Sequence, residues 1–234
     1  MIKQIKKVGV IGAGTMGAGI AGQVANAGIE VWLLDLPSKG ENTNSLSSKG
    51  LERIKDPDMP GLMSVAAEKL IRLGNTRDDF HQLEDCDWVA EAVVERLDIK
   101  QALYHQLNDV CKVTTIITSN TSTIPISLLT KGMPKKFCER FAITHFFNPV
   151  RFMRLLELVR GEFTREDVIE GRQSLTVTID QDIHYLNDMQ AGMHSRGFNE
   201  ALLNNDEGRV QHFHNWIDNW LSDESLWKKV SNIK

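Results

Sequence analysis

The chain has 234 residues, of which 41% are hydrophobic, and its formal net charge is −4. This length and composition support a buried core in one domain or two small ones, and charges of both signs spread along the chain argue against a nucleic-acid-binding surface. Three widely spaced cysteines without a CxxC pair argue against a disulfide framework or a zinc knuckle, so we expect a reducing compartment, the cytoplasm.

The N-terminal segment has features that imitate a targeting signal. Three lysines precede an uncharged stretch from Val8 to Ile29, as in a signal peptide or a membrane span. Seven glycines interrupt this stretch, together with Gln23 and Asn26. A strand, a glycine turn and a buried helix explain the pattern better, and we therefore predict that the chain has no membrane span.

Short apolar segments alternate with helical patterns as far as Gly161, which is typical of a parallel α/β sheet. The predicted strands, in chain order, are Val8–Ile11, Val31–Asp35, Trp88–Ala92, Thr115–Ser119, Phe141–His145 and Leu155–Val159. One helix is predicted to start near Met16 and another to cover Leu97–Val110. The polar segment Leu36–Arg77 is predicted to be an excursion that contains one or two helices.

The character of the sequence changes at Gly161, where the strand–helix alternation stops. Five apolar residues then fall on one face of a predicted helix: Phe213, Trp216, Ile217, Trp220 and Leu221. We predict a helical appendage over residues 162–234, whose aromatic face packs against the first domain or meets a protein partner. His212 and His214 point about 200° apart on a helix and cannot chelate one ion together, so no metal site is predicted.

The segment GAGTMG at positions 12–17 follows the first predicted strand and fits the pattern GxGxxG. Gly12 permits a tight turn, Gly14 lets the backbone approach a pyrophosphate, and Gly17 allows the helix to pack closely on the sheet. Thr15 and Met16 then lie in the first helical turn, where free N–H groups and the helix dipole favour an anion.

Asp35 ends the second predicted strand, 18 residues beyond Gly17. A carboxylate at this place can accept hydrogen bonds from the adenosine ribose and repels a 2′-phosphate. Together with the glycine turn, it predicts an NAD-binding Rossmann domain over residues 1–161, an α/β fold with a doubly wound, mainly parallel sheet. The plain alternative is a tight turn with a solvated aspartate.

His145 ends a predicted strand, and Glu157 lies on the next one. Open α/β sheets bind ligands at the carboxyl ends of their strands, and a histidine there can accept a hydroxyl proton near neutral pH. Glu157 could hold the histidine in one tautomer. The alternative is a capping histidine beside a solvated glutamate.

Four segments resemble, in order and wording, the 3-hydroxyacyl-CoA dehydrogenases of fatty-acid β-oxidation, above all their long multidomain bacterial members. The segments are GAGTMGAGIA, EAVVERLDIK, SNTSTIPI and ITHFFNPVRFMRLLELVRG. The resemblance covers about residues 3–161 and implies that a (3S)-hydroxyacyl-CoA is oxidised to a 3-oxoacyl-CoA while NAD is reduced. It further implies that His145 is the catalytic histidine, that Glu157 is its carboxylate partner, and that Ser122 contacts the substrate oxygen.

The same resemblance implies cofactor contacts at four more positions. Glu95 and Lys100 match residues near the ribose and nicotinamide, and Asn120 and Asn148 match positions that line the site. Without the resemblance, the two asparagines and Ser122 are typical of turns and loops. Glu95 and Lys100 would then be interpreted as a solvated pair flanking a helix start.

Beyond residue 161 the chain departs from this family. The family's GF-[IV]-xNR segment, at the entrance to its helical substrate domain, is not found, and Gly197-Phe198-Asn199 is a poor match. Residues 182–221 instead resemble the C-terminal helices of Rieske-type ring-hydroxylating oxygenase large subunits, without the CxH and CxxH cluster ligands. The sequence thus leaves three hypotheses: a working dehydrogenase, whose turnover the missing substrate domain would impair; an NAD-binding module or a truncated or fused gene product without efficient catalysis; and an oxygenase-related interaction protein.

Overall fold

A computed structural model of the chain describes residues 5–58 and 60–170. Within these residues, the strands are β1 Lys7–Ile11, β2 Glu30–Asp35, β3 Ile71–Asn75, β4 Trp88–Glu91, β5 Ile116–Ser119, β6 Phe141–Phe146 and β7 Leu156–Arg160. The helices are α1 Thr15–Asn26, α2 Ser45–Ile54, α3 Val65–Glu68, α4 Leu97–Val110, α5 Ile126–Leu129, α6 Lys135–Cys138 and α7 Glu166–Glu170, with a 3₁₀ helix at Phe80–Asp85.

The strands form one sheet in the order β3-β2-β1-β4-β5-β6-β7. Strands β1 to β6 are parallel, and β7 pairs antiparallel with β6. The chain starts at β1, moves outward to β3 and then crosses to β4, so that the direction of winding reverses between β1 and β4. This reversal is the switch point at which doubly wound sheets bind ligands, and the predicted fold class is confirmed.

Two hydrophobic cores cover the two faces of the sheet, as a parallel sheet requires. On one face, Val8 and Val10 of β1 pack with buried residues of α1 such as Ile20. On the other face, Leu107 of α4 and Phe141 of β6 belong to a second cluster of buried side chains. The central strands therefore carry apolar residues in succession rather than in alternation.

The polar excursion predicted over Leu36–Arg77 contains the helices α2 and α3, but it also contains β3, which the prediction missed. Residues Ile71–Asn75 pair in parallel with β2, from Val31↔Ile71 to Asp35↔Asn75. Arg72 on this strand is exposed and Gly74 has no side chain, so the strand lacks an apolar run that a sequence pattern could show. Pairing with β2 stabilises it instead.

The described part of the chain continues for nine residues beyond Gly161. The Thr164 hydroxyl donates to the carbonyl of Phe141 at 2.7 Å, and the Arg165 amide donates to that of Glu139 at 2.8 Å. The predicted boundary near Gly161 and the helical appendage stay predictions. The aromatic face at 213–221, the two histidines at 212 and 214 and the oxygenase-like segment 182–221 lie outside the described residues.

Among the described residues, no helix combines the length and the apolar character needed to cross a membrane. In the same part of the chain, histidine, cysteine and carboxylate side chains do not gather in groups of three or more that could hold a metal ion.

Candidate functional site

The glycine turn between β1 and α1 leaves no room for side chains at two of its three glycines. Gly12 has φ +98°, and a Cβ at this residue would lie 2.5 Å from the carbonyl oxygen of Ala92. A Cβ at Gly17 would lie 1.7 Å from the carbonyl oxygen of Gly12. Gly12 is therefore required by its backbone conformation, and Gly17 by the close approach of α1 to the turn.

Gly14 is different, because it faces open space. It is the N-cap residue of α1, with φ −65° and ψ −170°, and an added Cβ would meet no described atom within 4 Å. A glycine has no side chain to cap the helix, and the first turn, which begins at Thr15, carries no acidic residue. The free amides at this end of α1 thus suit a pyrophosphate, as the sequence predicts.

Asp35 braces the same turn from the carboxyl end of β2. Its Oδ2 accepts a hydrogen bond from the Ala13 amide at 2.6 Å, and its Oδ1 accepts one from the Leu36 amide at 2.7 Å. Arg53 of α2 donates from Nη1 to the carbonyl of Ala13 at 3.1 Å. The sequence did not indicate this cation, because 40 residues separate it from the turn.

A cleft of about 350 Å³ lies at the carboxyl ends of β4, β5 and β6. It brings together six predicted site residues, Met16, Glu95, Asn120, Ser122, His145 and Asn148, with Ala92, Val93, Phe146 and Phe147 completing its described lining. Asp35, Lys100 and Glu157 are not among the described residues that line it. Asp35 lies at the end of β2 instead, on the other side of β1 from β4.

His145 and Glu157 are directly opposite each other on the antiparallel strands β6 and β7. The distance from His145 Nδ1 to Glu157 Oε2 is 2.7 Å. Since a carboxylate accepts hydrogen bonds, Nδ1 carries the proton and Nε2 is left as an acceptor. The imidazole is 23% exposed and also contacts the ring of Phe147, with 4.7 Å between the ring centroids.

Asn120 joins the ends of β4, β5 and β6. Its backbone amide donates to the backbone carbonyl of Glu91 at 2.7 Å, and its side-chain Oδ1 accepts from the backbone amide of Phe146 at 2.9 Å. These two bonds fix the loop that carries Ser122 relative to the strand that carries His145.

Lys100 is buried, so its interpretation as half of a solvated pair is wrong. Its side chain is 1% exposed, and its Nζ lies 2.7 Å from Oε1 of Glu91 and 3.3 Å from Oε2 of Glu95. Lys100 therefore reaches the cleft only through Glu95, whose side chain is 37% exposed. A direct contact of Lys100 with the cofactor is not what this geometry offers.

Glu95 is held from a second side by the loop after β5. It accepts hydrogen bonds from the hydroxyl of Thr121 and, at 3.0 Å, from that of Thr123. Burial acts to raise the pKa of Glu95, but these hydroxyls and the Lys100 ammonium outweigh it and lower the pKa to about 2. Glu95 is thus a carboxylate, and an acceptor, at neutral pH.

Glu91 is a buried charge that the sequence analysis missed. It ends β4, is 0% exposed, and accepts hydrogen bonds from the amide of Val93 and the hydroxyls of Tyr104 and Ser119 in addition to Lys100. A carboxylate inside an otherwise apolar strand was the available signal, because such a group is buried only when it is paired.

Comparison with known proteins agrees with this geometry. The family model described as 3-hydroxyacyl-CoA dehydrogenase, NAD binding domain, matches residues 7–188, which extends past Gly161. A probable 3-hydroxyacyl-CoA dehydrogenase of Deinococcus radiodurans is 45% identical over 169 residues, or 71% of this chain and 49% of that protein. A putative fatty acid oxidation complex trifunctional enzyme of Rickettsia felis is 40% identical over 190 residues, or 80% of this chain and 26% of that protein.

A solved structure shows the same relationship. The crystal structure of 3-hydroxybutyryl-CoA dehydrogenase from Escherichia coli K12 superposes with a TM-score of 0.62 and 34% sequence identity, covering 75% of this chain and 36% of that one. The chain spans about half, or less, of the length of the relatives named here. Its family match includes the sheet, the glycine turn and the cleft, and the chain therefore belongs to the 3-hydroxyacyl-CoA dehydrogenase family, whose NAD-binding domain it carries.

Proposed function

We propose that the protein oxidises (3S)-hydroxyacyl-CoA to 3-oxoacyl-CoA with NAD, as a step of fatty-acid oxidation. The observation that carries the proposal is the 2.7 Å contact between His145 Nδ1 and Glu157 Oε2, in a histidine that lines the cleft. The relative from Deinococcus radiodurans, a probable 3-hydroxyacyl-CoA dehydrogenase, supports the reaction, and the relative from Rickettsia felis, a putative fatty acid oxidation complex enzyme, supports the pathway.

Proton transfer is the part of this reaction that the chain's own side chains perform. Glu157 accepts a hydrogen bond from the N–H at Nδ1 of His145. Nε2 of His145 is therefore free to take the proton of the substrate's 3-hydroxyl group. The imidazolium that forms is stabilised by the adjacent carboxylate. We assign the Ser122 hydroxyl to the substrate oxygen and Asn148 to the wall of the cleft, because both line it with His145.

The dinucleotide site extends across the switch point of the sheet. Gly12, Gly14 and Gly17 shape the turn, Thr15 and Met16 present the first turn of α1, and Asp35 receives the adenosine ribose. On the other side of β1, Glu95 receives the nicotinamide ribose beside Asn120, while Lys100 acts through Glu95. NAD, when bound, supplies the hydride acceptor for the substrate carbon.

We also place the protein in the cytoplasm. Cys86, Cys111 and Cys138 are free. Burial raises the pKa of Cys86 to about 12 and that of Cys111 to about 11, so neither is a reactive thiolate. Such cysteines suit a reducing compartment, and they have no part in the proposed chemistry.

The test is the reverse reaction, acetoacetyl-CoA reduction followed by the loss of NADH absorbance. His145→Ala should lower kcat by about 10²–10⁴-fold, as expected for a lost general base. Its affinity for NAD should stay unchanged, because the dinucleotide contacts lie elsewhere in the site. His105→Ala is the matched control, since His105 is exposed on α4 and is not among the described residues that line the cleft. It should turn over like the wild type.

Two outcomes would redirect the proposal. Turnover that survives in His145→Ala would remove the histidine from the mechanism. A wild-type chain that binds NAD but does not turn over acetoacetyl-CoA would instead favour the alternative function, an NAD-binding module without efficient catalysis.

A further inference from the structure

We propose that Glu91 is a positioning residue, which acts through Lys100 to hold the Glu95 carboxylate at the cleft and so governs binding of the nicotinamide half of NAD. The inference rests on the proposed assignment of Glu95 to the nicotinamide ribose. Glu91 itself is 0% exposed and is not among the described residues that line the cleft.

Glu91 is held rigidly by the groups that surround it. Its Oε1 accepts from the Val93 amide at 2.8 Å and faces Lys100 Nζ at 2.7 Å. Its Oε2 accepts from the hydroxyls of Tyr104 and Ser119, each at 2.7 Å. These donors come from the loop after β4, from α4 and from β5, so the carboxylate cannot move without disturbing three parts of the fold.

Lys100 transmits this rigidity to the cleft. Its side chain is buried in the first turns of α4, and its ammonium lies between two carboxylates, Glu91 at 2.7 Å and Glu95 at 3.3 Å. A lysine has a flexible stem, and its ammonium is fixed here by the shorter contact, the one with Glu91. Without the Glu91 charge, Lys100 loses its anchor, and Glu95 loses a partner of defined position.

Glu91, Lys100 and Glu95 form a buried-to-exposed triad, and of these three residues only Glu95 lines the cleft. The hydroxyls of Thr121 and Thr123 hold its Oε1, so its Oε2 is the oxygen that Lys100 orients. A carboxylate that must accept a ribose hydroxyl gains from being fixed in advance, because the cost of ordering it is then not subtracted from the binding free energy.

The topology of the sheet separates the two halves of the dinucleotide. Asp35 and the glycine turn lie at β2 and β1, where the adenosine half binds, whereas the triad lies at β4 and α4. AMP therefore probes the first half alone, and NAD probes both. A residue that positions Glu95 should affect NAD and spare AMP, whereas general damage to the fold should weaken both ligands.

The experiment compares NAD and AMP dissociation constants for the full chain by titration calorimetry. Glu91→Gln keeps the shape and lets both hydroxyls turn to accept, but it removes the charge that anchors Lys100. We expect NAD to bind about tenfold more weakly and AMP to stay within about twofold. Thr115→Val is the matched control, because it removes one buried hydrogen bond, the one to the carbonyl of Cys86, that does not involve Glu91, Lys100 or Glu95. It should lower the melting temperature and leave both affinities unchanged.

A double-mutant cycle shows whether Glu91 acts through Glu95. In the Glu95→Gln background, Glu91→Gln should weaken NAD binding by less than about twofold further, because the side chain that Glu91 positions is already altered. If Glu91→Gln fails to fold around an unpaired ammonium, Glu91→Gln with Lys100→Met removes both buried charges and should show the same selective loss.

Three outcomes would each overturn the inference. They are equal weakening of NAD and AMP binding in Glu91→Gln, unchanged NAD binding in Glu91→Gln, and a second full tenfold loss of NAD affinity in the Glu95→Gln background. A wild-type chain that binds neither nucleotide would overturn it together with the cofactor site. Absence of acetoacetyl-CoA turnover would count against the proposed reaction alone, since this test measures binding.

Discussion

Asp35 has a structural role before any ligand arrives. Its two oxygens accept from the amides of Ala13 and Leu36 at 2.6 and 2.7 Å, so the carboxylate ties the end of β2 to the glycine turn. A charged acceptor makes such bonds short and strong. The charge that we propose to discriminate against a 2′-phosphate is therefore held in place by the glycine turn.

This arrangement predicts a change in cofactor preference. Asp35→Asn keeps an oxygen for the Ala13 amide but removes the negative charge, and Arg53 beside the turn then offers a cation to a 2′-phosphate. The preference for NAD over NADP, measured as a ratio of dissociation constants by fluorescence titration, should fall by about tenfold or more. Asp109→Asn, on α4, makes the same change in net charge and should leave the ratio unchanged. An unaltered ratio in Asp35→Asn would contradict the role of Asp35.

The low pKa of Glu95 predicts that this residue stabilises the fold in a pH-dependent way. Although burial opposes it, hydrogen bonds from two threonines and the ion pair with Lys100 lower the pKa of Glu95 from 4.5 to about 2. Because the Glu95 carboxylate binds protons more weakly in the folded than in the unfolded state, its contribution to the free energy of unfolding is complete above about pH 4.5. This contribution is lost as the pH falls towards 2. The difference in unfolding free energy between the wild type and Glu95→Gln, from urea denaturation, should shrink across this window. A difference independent of pH from about 6 to 2 would contradict the low pKa.

The residues that we propose to meet a ligand have clearer sequence signals than those that support them. His145 and Asp35 end predicted strands, and the carboxyl ends of parallel strands lie at one edge of the sheet. Glu91 and Glu95 are four residues apart in one segment, and although the apolar strand around Glu91 indicates burial, a sequence cannot show which partners the two carboxylates find. Packing of α4 against β4 and β5 decides this, and it also buries Lys100.

At the scale of elements, Gly17 allows the close approach of α1 to the glycine turn, and Gly14 leaves open the space that we propose for the pyrophosphate. A Cβ at Gly17 would lie 1.7 Å from the Gly12 carbonyl oxygen, whereas one at Gly14 would meet no described atom within 4 Å. The two substitutions to alanine add the same methyl group at positions three residues apart and should nevertheless have different consequences.

Gly17→Ala should destabilise the fold by about 1–3 kcal/mol or more, because α1 must shift away from the turn. Gly14→Ala should cost less than about 1 kcal/mol, since its backbone angles suit alanine, yet its methyl group would occupy the space that a pyrophosphate approaches. Denaturant unfolding and NAD titration of both variants provide the test. Undiminished NAD affinity in Gly14→Ala would mean that the pyrophosphate does not approach this face of the turn.

Elements with strong patterns were predicted closely, whereas a strand that relies on its neighbour was missed, as were short helices such as Ile126–Leu129. The helix Leu97–Val110 has the predicted limits, and the strand predicted at Leu155–Val159 is displaced by one residue, to Leu156–Arg160. Strand β3 has an exposed arginine and a glycine among its five residues, so its identity comes from pairing with β2. Propensity is a weak guide to such an edge strand.

At the scale of the whole molecule, the sheet and both halves of the proposed cofactor site lie before Gly161, but the described contacts of the domain do not stop there. Thr164 accepts from the Gly161 amide at 2.8 Å and donates to the carbonyl of Phe141, and the Arg165 amide donates to that of Glu139. These bonds fasten the chain to the start of β6 after β7 has ended. The sequence alone placed a boundary at Gly161 because strand–helix alternation stops there, and hydrogen bonds of this kind leave no periodic signal.

Two truncated chains, one ending at Gly161 and one at Glu170, separate stability from cofactor binding. Both lack residues 171–234, so that segment does not enter the comparison between them. The shorter chain loses at least the three hydrogen bonds described above, each with a net value of about 0.5–1.5 kcal/mol, and it should unfold at lower denaturant concentration. Because Asp35, the glycine turn and Glu95 are present in both, their NAD dissociation constants should agree, and NAD at about 100-fold that constant should stabilise each by roughly 2.7 kcal/mol.

Thr164→Val in the full chain removes two of the three bonds and should reproduce part of the loss of stability. Equal stability of the two truncated chains would show that the bonds at Thr164 and Arg165 do not support the domain, whereas weaker NAD binding by the shorter chain alone would show that residues 162–170 support the cofactor site as well as the sheet.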